Sequence, residues 1–168
     1  MLELTEDTTL AETLERDEHA YDRLAKAAPA YRKFSKALMR EDTAGRLTLR
    51  DIANMASLQP ADVVRTARGS EAAISTTAEP LSEALARSTD GGWPLFDARP
   101  LLIDGHEPLA AILDFTEQLP GGSSFVVEAT FHPQPLRRLF EGRGYESAAE
   151  SIAADHWRVY FRHPACAP

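Results

Sequence analysis

Apolar and polar positions keep two different rhythms along this chain. Across 1–68 the apolar residues recur at helical spacing. Thr8 or Thr9 can cap a first helix, and Glu12 stands three residues after Thr9, the spacing of a capping box. Leu10 and Leu14 then share one face. A break near Asp17 precedes a second helix over 21–27, and Pro29 fits the first turn of a third with Tyr31, Phe34, Leu38 and Met39. Residues 41–46, with Gly45, read as a turn. Thr48 caps a fourth helix with Ile52, Ala53 and Met55, and Pro60 opens a fifth with Val63, Val64 and Ala67. From Trp93 the periods alternate. The pattern predicts strands over 95–98 and 124–130, a weaker strand over 145–153 and a clear one over 156–162, with helices over 108–119 and 135–141. In the last strand Trp157, Val159 and Phe161 point one way, and His156, Arg158, Tyr160 and Arg162 the other.

The expected fold class is therefore α+β. A small helical domain (1–68) precedes a linker rich in Gly, Ser, Thr and Ala (69–92), which holds a short helix at 81–87. A two-layer β-α-β-α-β-β sandwich (93–165) follows. A right-handed crossover makes its first two strands parallel, within a four-stranded mixed sheet covered by two helices on one face. Each half buries only a modest core at about 70 residues. The open sheet face with His156, Arg158 and Tyr160 is thus the expected docking surface, for the other half, a protein partner or a second copy.

Composition adds exclusions. Of 168 residues, 43% are hydrophobic and 26% charged, as in ordinary globular proteins. No run reaches the roughly 18 uncharged apolar residues of a spanning helix, so no membrane role is expected. Eighteen basic residues stand against 26 acidic, a net charge of −8 divided evenly between 1–90 and 91–168. Neither half has the footprint of a non-specific nucleic-acid binder. The run Arg32, Lys33, Lys36 and Arg40 reads as a solvated helix face. The first 18 residues hold seven acids and one arginine, unlike a secretory leader. The single cysteine, Cys166, leaves no internal disulfide or CxxC centre, and the cytoplasm is the expected compartment.

Candidate chemistry follows from topology. Loops after parallel strands leave the same sheet edge, where ligands tend to bind. One loop starts at Asp97-Ala98-Arg99-Pro100 and runs to Gly105-His106-Glu107-Pro108, and the other starts at Thr130-Phe131-His132-Pro133. Asp97, Arg99, His106, Glu107 and His132 are expected to converge there as a ligand-binding group. His106 and His132 each precede a helix N-terminus, where the dipole favours neutral imidazole, the metal-binding form. One reading is a transition-metal or haem site on His106 and His132, with Glu107 or Asp97 as carboxylate partner. Another is a pocket for a small anion or acid on Arg99 and the free N–H groups of the helix starts. The bland alternative is that the histidines cap and that Asp97 and Arg99 brace the loop.

Residues 93–163 resemble the bacterial family catalogued as domain of unknown function 2249. The resemblance rests on Phe96-Asp97-Ala98-Arg99-Pro100-Leu101, His106-Glu107-Pro108-Leu109, Leu119-Pro120-Gly121-Gly122, His132-Pro133-Gln134-Pro135-Leu136, Gly142, Gly144 and Trp157-Arg158-Val159. It implies a fold similar to the TusA/SirA-like sulfur carriers. Those place a reactive cysteine in a Cys-Pro-x-Pro motif. Here the stretch reads Gly105-His106-Glu107-Pro108, so persulfide carriage is not expected. Residues 29–68 resemble the helical domain of unknown function 1858, related to the N-terminal module of ScdA-type iron–sulfur repair proteins. Pro29 to Phe34, Met39-Arg40, Thr48 to Ala53 and Asp62-Val63-Val64 carry that likeness, without the cysteine of those modules. Together the resemblances imply a redox or nitrogen-oxide context. Two rival functions stay open. Residues 48–68 have the outline of a helix-turn-helix, with Arg65 and Arg68 on its second helix. His106 or His132 could also serve a small enzyme as general base, with Arg99 holding a substrate anion.

Overall fold

The computed structural model describes residues 3–28, 30–70 and 92–164. The chain divides into two compact units, Met1–Glu79 and Pro80–Pro168. The expected linker helix at 81–87, Pro29 and Cys166 lie outside the described residues. Among the described residues no helix is long and apolar enough to cross a membrane.

The first unit is helical: α1 (Leu10–Arg16), α2 (Ala20–Ala27), α3 (Ala30–Leu38), α4 (Glu41–Ala44), α5 (Leu49–Met55) and α6 (Pro60–Ala67). Thr9, and not Thr8, caps α1 in a full capping box with Glu12, and Thr48 does the same for α5 with Asp51. The two caps are tied together. Leu10 N–H donates to Leu47 O at 2.8 Å, and Leu49 N–H to Thr8 O at 2.9 Å. Residues 41–46 are a correction to the sequence reading, since a one-turn helix, α4, occupies most of the expected turn. Its first-turn Glu41 and Asp42 suit the positive end of the helix, while buried Thr43 and Ala44 anchor it. Leu10, Leu24, Leu38, Leu49, Ile52 and Val63 are fully or almost fully buried and form the core.

The second unit runs β1 (Leu95–Asp97), α7 (Arg99–Ile103), α8 (Leu109–Glu117), β2 (Phe125–Ala129), α9 (Gln134–Gly142), β3 (Glu146–Ala153) and β4 (His156–Arg162). The sheet order is β1-β2-β4-β3. β1 and β2 are parallel, and the other pairs are antiparallel. The fold is α+β, as the periodicity predicts. Phe115 of α8 and Phe140 of α9 meet Phe96, Phe125 and Phe161 on one sheet face. Phe125 is fully buried and touches four rings, with the Phe161 centroid at 4.8 Å. Each such pair is worth roughly 0.5–1.5 kcal/mol beyond burial.

The stretch after β1 is a second correction, because a short helix, α7, fills much of the expected loop. Asp97 accepts the Arg99 N–H at 3.0 Å, which starts the turn, and Pro100 fits the first helical turn. Gly105, at φ +74°, ends it: Gly105 N–H donates to Leu102 O and His106 N–H to Leu101 O, a Schellman cap. α9 ends the same way at Gly144, and the following Tyr145 packs on Phe140.

Candidate functional site

Register assembles an ionic cluster on the sheet face opposite the helices. β1 pairs Asp97 with Glu128, and β4 pairs Glu128 with Arg158. Two carboxylates thus sit side by side on adjacent strands, an arrangement that is repulsive without cations. Arg99 folds back from α7 to bridge them. Its Nε and Nη2 donate to Asp97 Oδ1 and Oδ2 at 2.9 and 2.8 Å, and Nη2 stands 3.1 Å from Glu128 Oε2. Arg158 holds the other oxygen, donating from Nε at 2.9 Å and Nη2 at 2.6 Å to Glu128 Oε1. His156 lies two residues before Arg158, on the same face. Its buried Nε2 is 3.3 Å from Glu128 Oε2.

Glu128 is the hub. It is 5% exposed, whereas the Arg99 and Arg158 side chains keep about a third of their surface, at 34% and 36%. Burial pushes its carboxyl up, but Arg158, His156 and Arg99 outweigh that, so the balance lies below the ordinary 4.5. Asp97 is held below its ordinary 3.8, chiefly by the hydrogen bond from Arg99. Arg99 and Arg158 are pushed up in turn by Asp97 and Glu128. Arg158 is held by Tyr160 as well as by Glu128, while the Nη1 end of Arg99 makes no hydrogen bond among the described residues. Both guanidiniums keep a solvent-facing part that a ligand can reach.

The five residues that the sequence assigns to one edge are divided by the sheet. Asp97 and Arg99 join the cluster on the helix-free face. His132 lies on the helix side, edge-on to Trp157 at 5.1 Å and in contact with Arg137 of α9. His106 is exposed, its side chain without a hydrogen bond, ion pair or ring contact among the described residues. Glu107 beside it is exposed as well. Among the described residues no three His, Cys, Asp or Glu side chains gather to hold a metal. Sequence reasoning placed His156 and Arg158 on this face but missed Glu128 altogether. A single carboxylate in the apolar run Phe125-Val126-Val127-Glu128-Ala129 is the signal that could have found it.

The helix-turn-helix outline of the first unit is present as α5 and α6. Ser57, at φ +59°, makes the turn between them. Arg65 of α6 and Arg68, its C-cap, are engaged within the unit: Arg65 pairs with buried Asp62, and Arg68 reaches Glu3 and Leu4 O.

Residues 95–163 match a protein family described as "Uncharacterized conserved protein (DUF2249)". No curated protein and no solved structure matches the chain.

Proposed function

We propose that the C-terminal unit is a non-catalytic binding module for a small oxyanion or organic acid, held on the helix-free sheet face by Arg99 and Arg158. One observation carries the reading. Buried Glu128 draws two guanidiniums to one spot, and each keeps about a third of its surface towards solvent. Arginine offers five donors in a fixed fork, so an arginine held on one edge still presents the other to a carboxylate or phosphate. The negative partner lies beneath and the cations outside, an order that suits an incoming anion. Two arginines fixed in advance also spare the ligand the cost of ordering them.

The metal and haem alternative on His106 and His132 draws less support, because Nε2 of His132 is already occupied by Arg137. A helix-turn-helix function is likewise less favoured, since Arg65 and Arg68 are turned to acids of their own unit. The wider setting in this reading is a TusA-like C-terminal unit, a ScdA-related helical unit and a cytoplasmic redox context with a protein partner or second copy.

The test is a titration of the ¹⁵N-labelled full chain with sodium phosphate and sodium acetate, against sodium chloride at equal ionic strength. Amide signals at 97–99, 128 and 156–158 should move with either oxyanion in the wild type, and not in Arg99→Gln or Arg158→Gln. Arg99→Lys should weaken the response by losing the fork. Movement equal to that in chloride would remove the reading.

A further inference from the structure

On the helix side of the same sheet, a buried arginine meets a histidine in a way that fixes the histidine's chemistry. Arg137 of α9 is 1% exposed. Such a cation must have its donors satisfied. Nε donates to Ser147 Oγ at 2.8 Å and Nη2 to Ser147 O at 3.2 Å. Ser147 Oγ in turn donates to Glu141 Oε1 at 2.5 Å, and that oxygen lies 3.8 Å from Arg137 Nη2. The remaining arm, Nη1, stands 3.2 Å from Nε2 of His132.

A guanidinium can only donate. Nε2 of His132 must therefore be the acceptor, with its lone pair aimed at Arg137. A neutral imidazole with Nε2 bare carries its proton on Nδ1. An imidazolium would set N–H against N–H beside a buried positive charge. Trp157 packs edge-on against the ring and limits its rotation. We infer that Arg137 is a positioning residue that locks His132 as the neutral Nδ1–H tautomer and closes its Nε2 to a metal ion or haem iron. His132 then acts as a hydrogen-bonding group and not as a ligand of iron or zinc. This stands apart from the oxyanion site, which lies on the opposite face and uses neither residue.

The experiment is a long-range ¹H–¹⁵N spectrum of the imidazoles in the full chain at neutral pH, alone and with zinc chloride. In the wild type the His132 Nε2 resonance should lie in the unprotonated range and Nδ1 in the protonated range, and zinc should leave both in place. A protonated Nε2, or a zinc-induced shift at His132, would overturn the inference. Arg137→Lys keeps a donor-only cation and should keep the tautomer. Arg137→Met should give a tautomer mixture and a zinc response, and an unchanged spectrum there would remove Arg137 from the role. Should Arg137→Met fail to fold, the wild-type spectrum alone still decides. The phosphate titration reads other residues, so either proposal can fail alone.

Discussion

The two units use the same ionic chemistry to different ends. In the helical unit the arginines reach separate partners, some backbone carbonyls and some carboxylates. Arg23 holds Thr66 O, Ala67 O and Asp17, Arg50 reaches Glu6 and Asp7, and Arg68 reaches Leu4 O. These contacts are dispersed and half-exposed, and each is worth little alone. In the α/β unit, Arg99 and Arg158 converge on one buried carboxylate. Scattered ties secure a fold. Convergent charge around a buried hub is where perturbed carboxylates gather, and such places are candidate sites.

The largest loss is expected at the aromatic core that carries the cluster. Phe125→Ala empties the centre of a five-ring packing and should cost the α/β unit about 3–5 kcal/mol. Both tryptophans, Trp93 and Trp157, belong to this unit, so urea denaturation followed by their fluorescence reads it selectively. A loss below about 1 kcal/mol would show that the sheet face does not depend on this layer.

Glu128→Gln sharpens the contrast. It keeps the shape and removes the charge, so the expected loss is about 1–2 kcal/mol. That falls short of a fully buried pair because both arginines are partly solvated. Acid should do the same to the wild type. Glu128 and Asp97 both titrate below their ordinary values when folded. The stability they add is therefore complete above the unfolded value and lost as pH falls through the folded one, from about pH 4.5 downward. Glu128→Gln should flatten that acid slope in thermal melts. An equal slope in wild type and variant would separate the cluster from acid stability.

The smallest effect lies in the helical unit. Ser57 holds the left-handed position of a Schellman cap, with Ser57 N–H donating to Asn54 O and Leu58 N–H to Ala53 O. Glycine removes the strain of that position at some cost in chain entropy, so Ser57→Gly should stabilise the unit by about 0.5–1 kcal/mol. Amide exchange at 49–58 is the readout, and faster exchange would contradict it.

Much of this molecule is local and hence legible in its residues. Thr9 with Glu12, and Thr48 with its following turn, mark helix starts because a hydroxyl three residues from a free N–H needs no distant partner. Alternation over 156–162 assigns each side chain of β4 to a face, because a strand's period is two whatever lies beside it. What the tertiary structure decided is which distant groups share a face. Nothing near Glu128 in sequence announces Arg158, 30 positions on, because only the antiparallel register sets them opposite. His132 and Arg99 both leave the same end of parallel strands, so the sequence groups them. The sheet between them and the pull of Arg137 and Glu128 send them to opposite faces. Periodicity is a property of the chain's own geometry. Register and partner choice are properties of the whole fold, since each strand's neighbours are settled only when the apolar face closes over its core.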